Sequence, residues 1–304
     1  MAKQSFRLVH SEDLTRPAED FGYFEHTVES LKLLGQNWRL FLPLAFLATL
    51  FAILFSGLSS ESAYESFRAA LENQDYTLGN LQKSGVLLLA TFTNVDSPAS
   101  LGLTFLLLWL ITIFILRHLL AKKSLTLRDA LYQSCAPFLS ALLVFLLVAL
   151  ETAPLVIVAI SYASAVATGF LSTPFYALIY FIFAALLILL SGYLLSSGVL
   201  TLAAVSAPGL YPLEALKSAG RLASGRRLKI VLRLLFLFFA LMLIWICLML
   251  PAITIDMWLK NLLPIFANLP TVPFLTLFLS CLSFIYISAY IYLYYRRILD
   301  AEKS

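Results

Sequence analysis

Six long apolar runs alternate with polar segments along the chain, near residues 39–58, 101–120, 137–162, 174–204, 229–250 and 273–295. A hydrocarbon core about 30 Å thick is crossed by roughly 20 apolar residues of α-helix, so each run predicts a transmembrane helix. The third and fourth runs exceed that length, which predicts tilt, a kink or protrusion. Pro154 is the expected kink in the third, and Gly192 and Gly198 loosen the fourth. Before the first run the period changes. Phe24, Val28, Leu31, Leu34 and Trp38 recur at steps of four, three, three and four, one face of a helix, while Glu25, Glu29, Lys32 and Gln36 fall elsewhere. This stretch reads as an amphipathic helix at the membrane interface.

Composition agrees with the pattern. Of 304 residues, 61% are hydrophobic and 12% charged, and the mean hydropathy is +0.90. A soluble domain carries about 25% charged residues, so a soluble globular protein is excluded. The predicted fold class is an all-α polytopic membrane protein. Its expected parts are a flexible cytoplasmic N-terminus at 1–22, a single six-helix membrane domain at 23–298 and a cytoplasmic tail at 299–304. The longest outer loop, 59–100, is expected to hold an amphipathic helix, from Tyr64, Phe67 and Leu71 at helical spacing. The first 37 residues hold six acids and no apolar run, unlike a cleavable signal peptide.

The charged residues set the orientation. Of the 21 basic residues, 18 fall on one set of alternating segments, and only Arg68, Lys83 and Lys260 fall on the other. Positively charged loops stay cytoplasmic, so both termini are expected to face the cytoplasm of a bacterial-type inner membrane. Trp38 and the tyrosines at 290, 292, 294 and 295 are expected at the cytoplasmic boundary and Trp258 at the outer one, with Trp109 packed mid-span. The net charge of +4 is too mild to point to nucleic acid.

Two further polar stretches resemble the one before the first span. Thr126 precedes Leu127-Arg128-Asp129, a capping-box-like start. Pro212 suits a first helical turn and Gly225 a stop. Glu29-Ser30-Leu31, Asp129-Ala130-Leu131 and Glu214-Ala215-Leu216 all read acid, small, leucine, with Gly35, Cys135 and Gly220 six positions after each acid. The pattern suggests three repeats of an interfacial elbow helix followed by a two-span hairpin, each elbow packing its apolar face on its hairpin. Any helix entering a membrane interface shares part of this look.

The stretch from Ala207 to Leu232, with Pro208-Gly209, Pro212-Leu213-Glu214-Ala215-Leu216-Lys217-Ser218, Leu222 and Gly225-Arg226-Arg227, resembles the six-span membrane domain found beside some bacterial glycerophosphodiester phosphodiesterases, and related stand-alone inner-membrane proteins. The Leu125–Ala141 stretch fits the same group. The resemblance implies membrane architecture. It carries no catalytic residue, and six spans leave no room in this chain for the soluble phosphodiesterase barrel of about 250 residues.

Candidate chemistry is sparse. No HExxH, GxSxG, GxxxxGK[ST] or GxGxxG is present, and Cys135, Cys247 and Cys281 show no CxxC spacing. No catalytic set, metal site or cofactor is therefore expected. Glu151 is the sharpest candidate, about 20 Å into the third span at 1.5 Å per residue. A carboxylate at that depth costs on the order of 2.5–3.5 kcal/mol, which predicts a hydrogen-bonding partner at matching depth: Ser191, Tyr193 or Thr104. Glu151 reads either as a proton or cation site in a transport path or as one bond fixing helix packing. The small stretch Ser191, Gly192, Ser196, Ser197, Gly198 reads as close helix packing or as a discontinuous helix lining a substrate site. Arg221, Arg226, Arg227, Lys229 and Arg233 form the densest basic cluster and suit anionic phospholipid head groups, though topology alone also explains them. Asp256 and Lys260 read as an exposed i,i+4 pair of little weight.

Two functions follow as expectations. The first is a non-enzymatic accessory, scaffold or lipid-organising subunit, partnered by the bilayer and by another membrane protein or further copies of itself. The second is a small transporter or lipid-handling permease using Glu151 and the fourth span.

Overall fold

The computed structural model describes residues 22–56, 98–121, 126–206, 211–262 and 271–303. It is 92% helix, with no strand among the described residues. Six helical segments are long and apolar enough to cross a bilayer, as a multi-pass membrane protein requires: Trp38–Phe55, Ala99–Leu120, Phe138–Val166, Pro174–Val205, Arg227–Lys260 and Thr271–Asp300. The N-terminal segment before residue 22, nearly all of the outer segment 59–100 and Pro208-Gly209 lie outside the described residues.

In chain order the helices are α1 (Tyr23–Gln36), α2 (Trp38–Ser56), α3 (Pro98–Leu120), α4 (Leu127–Gln133), α5 (Phe138–Glu151), α6 (Ala153–Ala167), α7 (Pro174–Val205), α8 (Pro212–Ala223), α9 (Arg227–Leu262) and α10 (Thr271–Lys303). The short helices α1, α4 and α8 each precede a membrane-length segment. Thr126 caps α4, its hydroxyl accepting from the Asp129 N–H at 3.3 Å. Pro212 opens α8, and Gly225 follows that helix with φ +77°, a backbone conformation suited to glycine.

The third span is two helices, not one. Pro154 has no N–H to give the Leu150 carbonyl, and the helix breaks at Thr152. The fifth span runs further than its apolar run, straight through Pro251 to Leu262. In hydrocarbon the backbone must satisfy its own hydrogen bonds, so the helix outlasts its most apolar stretch.

The chain forms two compact units. The first comprises Met1–Ser30, Ile113–Phe238 and Ser288–Ser304. Within it α7 is the hub, packing against α5, α6 and α8. Leu200, Ala219, Leu222, Ala223, Ile230, Tyr294 and Ile298 make its core. Tyr290, Tyr292 and Tyr294 are buried here rather than spread along a lipid interface.

The second unit comprises Leu31–Thr112 and Phe239–Ile287. Its core cluster is Met249, Ile253 and Val272, with Trp245, Leu275 and Leu279 against it. Trp245 donates its indole N–H to the Ser283 hydroxyl at 2.9 Å, and Trp109 is buried as expected of a packing residue. Cys281 is buried, whereas Cys247 is exposed. Asp256 and Lys260 are not an exposed pair: Asp256 is buried and Lys260 largely covered, 3.1 Å apart, and the Thr271 hydroxyl at the start of α10 also donates to Asp256.

Candidate functional site

The break in the third span creates the most unusual polar arrangement in the first unit. In an unbroken helix the Glu151 carbonyl would accept from the Leu155 N–H. Here the Leu155 N–H turns to the Thr152 carbonyl at 3.0 Å, as does the Val156 N–H at 3.2 Å. The Ser191 hydroxyl on α7 donates to the freed Glu151 carbonyl at 2.8 Å. A neighbouring hydroxyl re-satisfying a proline-disrupted backbone is how such breaks survive in membranes.

The Glu151 side chain lies against α7 about two turns further on, over Gly198. A Cβ built on Gly198 would stand 2.9 Å from the Glu151 Cδ and 3.1 Å from Val148 Cγ2. Glycine is therefore required at 198 for the carboxyl to lie where it does. Oε2 is buried and makes no hydrogen bond among the described residues. A carboxyl held in this way keeps a hydrogen-bonding capacity that the surrounding protein does not use.

Of the three expected partners, Ser191 is at Glu151, but it serves the backbone carbonyl and not the carboxyl. Tyr193 is exposed on α7, with the Arg227 guanidinium 3.9 Å over its ring. Thr104 belongs to the second unit, and its hydroxyl donates to the Ser100 carbonyl at 2.9 Å. The small stretch of the fourth span is not a discontinuity, since α7 runs unbroken through it. Ser196 and Ser197 bond back to Tyr193 and Leu194 at 2.7 and 2.9 Å. The broken helix is the third.

The residues of the basic cluster differ in exposure. Arg221 and Lys229 are exposed, and Arg226 and Arg227 half-buried. Arg233 is buried, its guanidinium 4.6 Å from the Tyr294 ring and 5.6 Å from the Tyr23 ring.

Around Arg233 lies a group that the pattern of apolar positions did not reveal. His26 of α1 is fully buried against the Tyr290 and Tyr294 rings of α10. Arg297 Nη1 lies 3.0 Å from His26 Nδ1. A guanidinium only donates, so Nδ1 is the acceptor, and Nε2 carries the proton and donates to the Tyr290 carbonyl at 3.1 Å. Burial first, and then the Arg297 charge, push the His26 imidazole down to about 3, so it is neutral across the physiological range. Arg297 also pairs with Glu29. The only sequence signal was a histidine and an acid three residues apart, off the apolar stripe of α1.

No family model, curated protein or solved structure matches the chain.

Proposed function

We propose that the protein is a non-enzymatic accessory or lipid-organising subunit of a bacterial inner membrane, with both termini in the cytoplasm. The observation that carries this reading is the uneven burial of the spans. The window of the second span is 56% buried and that of the sixth 44%, against 11% for the third and 17% for the fourth and fifth. Phe175, Phe181, Ile182 and Leu186 of α7 stand outward, as do Leu139, Leu143 and Leu150 of α5. Such faces meet lipid tails or partner helices. The 18-to-3 division of basic residues supports the orientation. The three elbows form a repeat in this reading, supported by one shared detail: the small residue after each acid, Ser30, Ala130 and Ala215, is fully buried. The resemblance to the membrane domain beside glycerophosphodiester phosphodiesterases belongs to the same proposal. Contact with anionic phospholipid head groups narrows to Arg221 and Lys229, whose side chains are exposed.

Photo-crosslinking from Phe181 and Leu186 in native membranes tests the reading. A discrete protein adduct supports an accessory role. Lipid adducts alone, together with solute or lipid flux in proteoliposomes, overturn it.

The buried, unpartnered Glu151 oxygen on Gly198 favours a second reading, a small permease in which Glu151 takes up a proton or cation. Glu151→Gln tests it: unchanged phenotype and unchanged stability overturn the permease.

A further inference from the structure

The faces of α1 are used in the reverse of the expected way. His26, Thr27 and Ser30 are buried. The apolar residues Phe24, Val28 and Leu31 are exposed, at 71, 45 and 50%. The buried polar side chains are all satisfied. Thr27 and Ser30 hydroxyls donate to the Tyr23 and His26 carbonyls at 2.9 and 2.8 Å, and His26 bonds to Tyr290 and Arg297.

At about 100° per residue, α1 has three faces of roughly a third of the circumference each. His26, Thr27 and Ser30 face the protein. Phe24, Val28, Leu31 and Gly35 form a second stripe, and Glu25, Glu29, Lys32 and Gln36 a third. A helix with protein on one side, apolar side chains on the next and charges on the last matches the three surroundings found at a membrane surface: protein, acyl chains and water. The position of α1 fixes which surface this is. Only Asn37 separates it from α2, whose membrane-crossing segment starts at Trp38.

We propose that α1 is a leaflet-immersed helix, its Phe24–Val28–Leu31 stripe in the acyl region of the leaflet on the N-terminal side and its polar face latched to α10 through His26, Arg297 and Glu29. It deepens the elbow reading above and rests on it. The lipid class follows from the water face, where Glu25 stands against Lys32 and Glu29 is already paired with Arg297. Basic interfacial helices are drawn to anionic lipids. This face offers no such attraction, so α1 is held by apolar burial and its own latch, whatever the head-group charge.

The test uses the full chain with exposed Cys135 and Cys247 replaced by Ser and Ala, buried Cys281 retained, and single cysteines carrying an environment-sensitive fluorophore. Labels go at Phe24, Val28 and Leu31, and at Glu25 and Lys32, all exposed positions that tolerate a probe. Gel filtration checks the fold. In phosphatidylcholine vesicles, an acyl-chain nitroxide quenches labels at 24, 28 and 31 several-fold more than those at 25 and 32, and aqueous iodide does the reverse. The ratio is unchanged when phosphatidylglycerol is added. Iodide quenching at 24, 28 and 31 overturns the elbow reading together with this one. Access for neither quencher overturns the proposal in favour of a protein covering the stripe. Acyl-chain quenching that appears only with phosphatidylglycerol overturns the lipid class and leaves the elbow standing.

Discussion

Among the three carboxyl groups in the membrane-length segments, Glu151 and Asp256 are treated oppositely by the protein. Asp256, in the second unit, is surrounded by partners: Lys260 at 3.1 Å and the Thr271 hydroxyl. Glu151, in the first, has its backbone carbonyl satisfied by Ser191 and one side-chain oxygen buried on a glycine with no hydrogen bond among the described residues. Asp256 joins the end of α9 to the start of α10, and each of its two oxygens has a partner. Glu151 sits at a helix break whose own bonds are made without its carboxyl. A charge used in this way for structure is costly to remove, whereas an unused one is cheap to remove unless it has work elsewhere.

The largest effect is therefore expected at Asp256. Asp256→Ala leaves Lys260 largely covered without its carboxylate and should cost about 3–5 kcal/mol, read as a lower thermal midpoint in detergent. Adding Lys260→Met should recover most of the loss; no recovery would mean that the pair is not what joins these helix ends. Next comes Gly198→Ala, which forces a methyl group onto the Glu151 carboxyl and Val148. About 1–3 kcal/mol is expected from overpacking, relieved when Glu151→Ala is combined with it. Ser191→Ala, which strips the donor from the Glu151 carbonyl, should cost about 1 kcal/mol, and Ser191→Thr should retain part of it. The smallest stability change belongs to Glu151→Gln, within about 0.5 kcal/mol. A large loss there would show that the carboxyl is structural after all and erase the contrast with Asp256.

The spans were legible because insertion into hydrocarbon demands long apolar runs, and the break at Pro154 because proline removes a specific N–H. Glu151 stood out as an isolated acid in an apolar run. Its neighbour Ser191 was legible as well, from depth counted along two antiparallel spans, but counting depth does not say which atom the hydroxyl meets. The spacing of Asp256 and Lys260 was visible and their burial was not, because the fifth span continues past the apolar run that marks it. For α1 the pattern marked the helix but not the face that packs on the protein. Hydropathy assigns apolar residues to the inside, but here the bonds of His26, Thr27 and Ser30 make a polar face fit for burial, and in a membrane the outside is apolar too.

The Ser191–Glu151 bond also bears on the order of synthesis. It joins residues 40 apart, on either side of the turn between the third and fourth spans. When the third span leaves the ribosome, the hydroxyl that completes its backbone has not yet emerged. At about 5–20 residues per second, several seconds pass before it arrives. During that interval the freed carbonyl and the carboxyl of Glu151 need water or the insertion channel for company. Residues 138–205 are thus best released into lipid as a pair, and a stop placed between the two spans would strand the first of them half-satisfied.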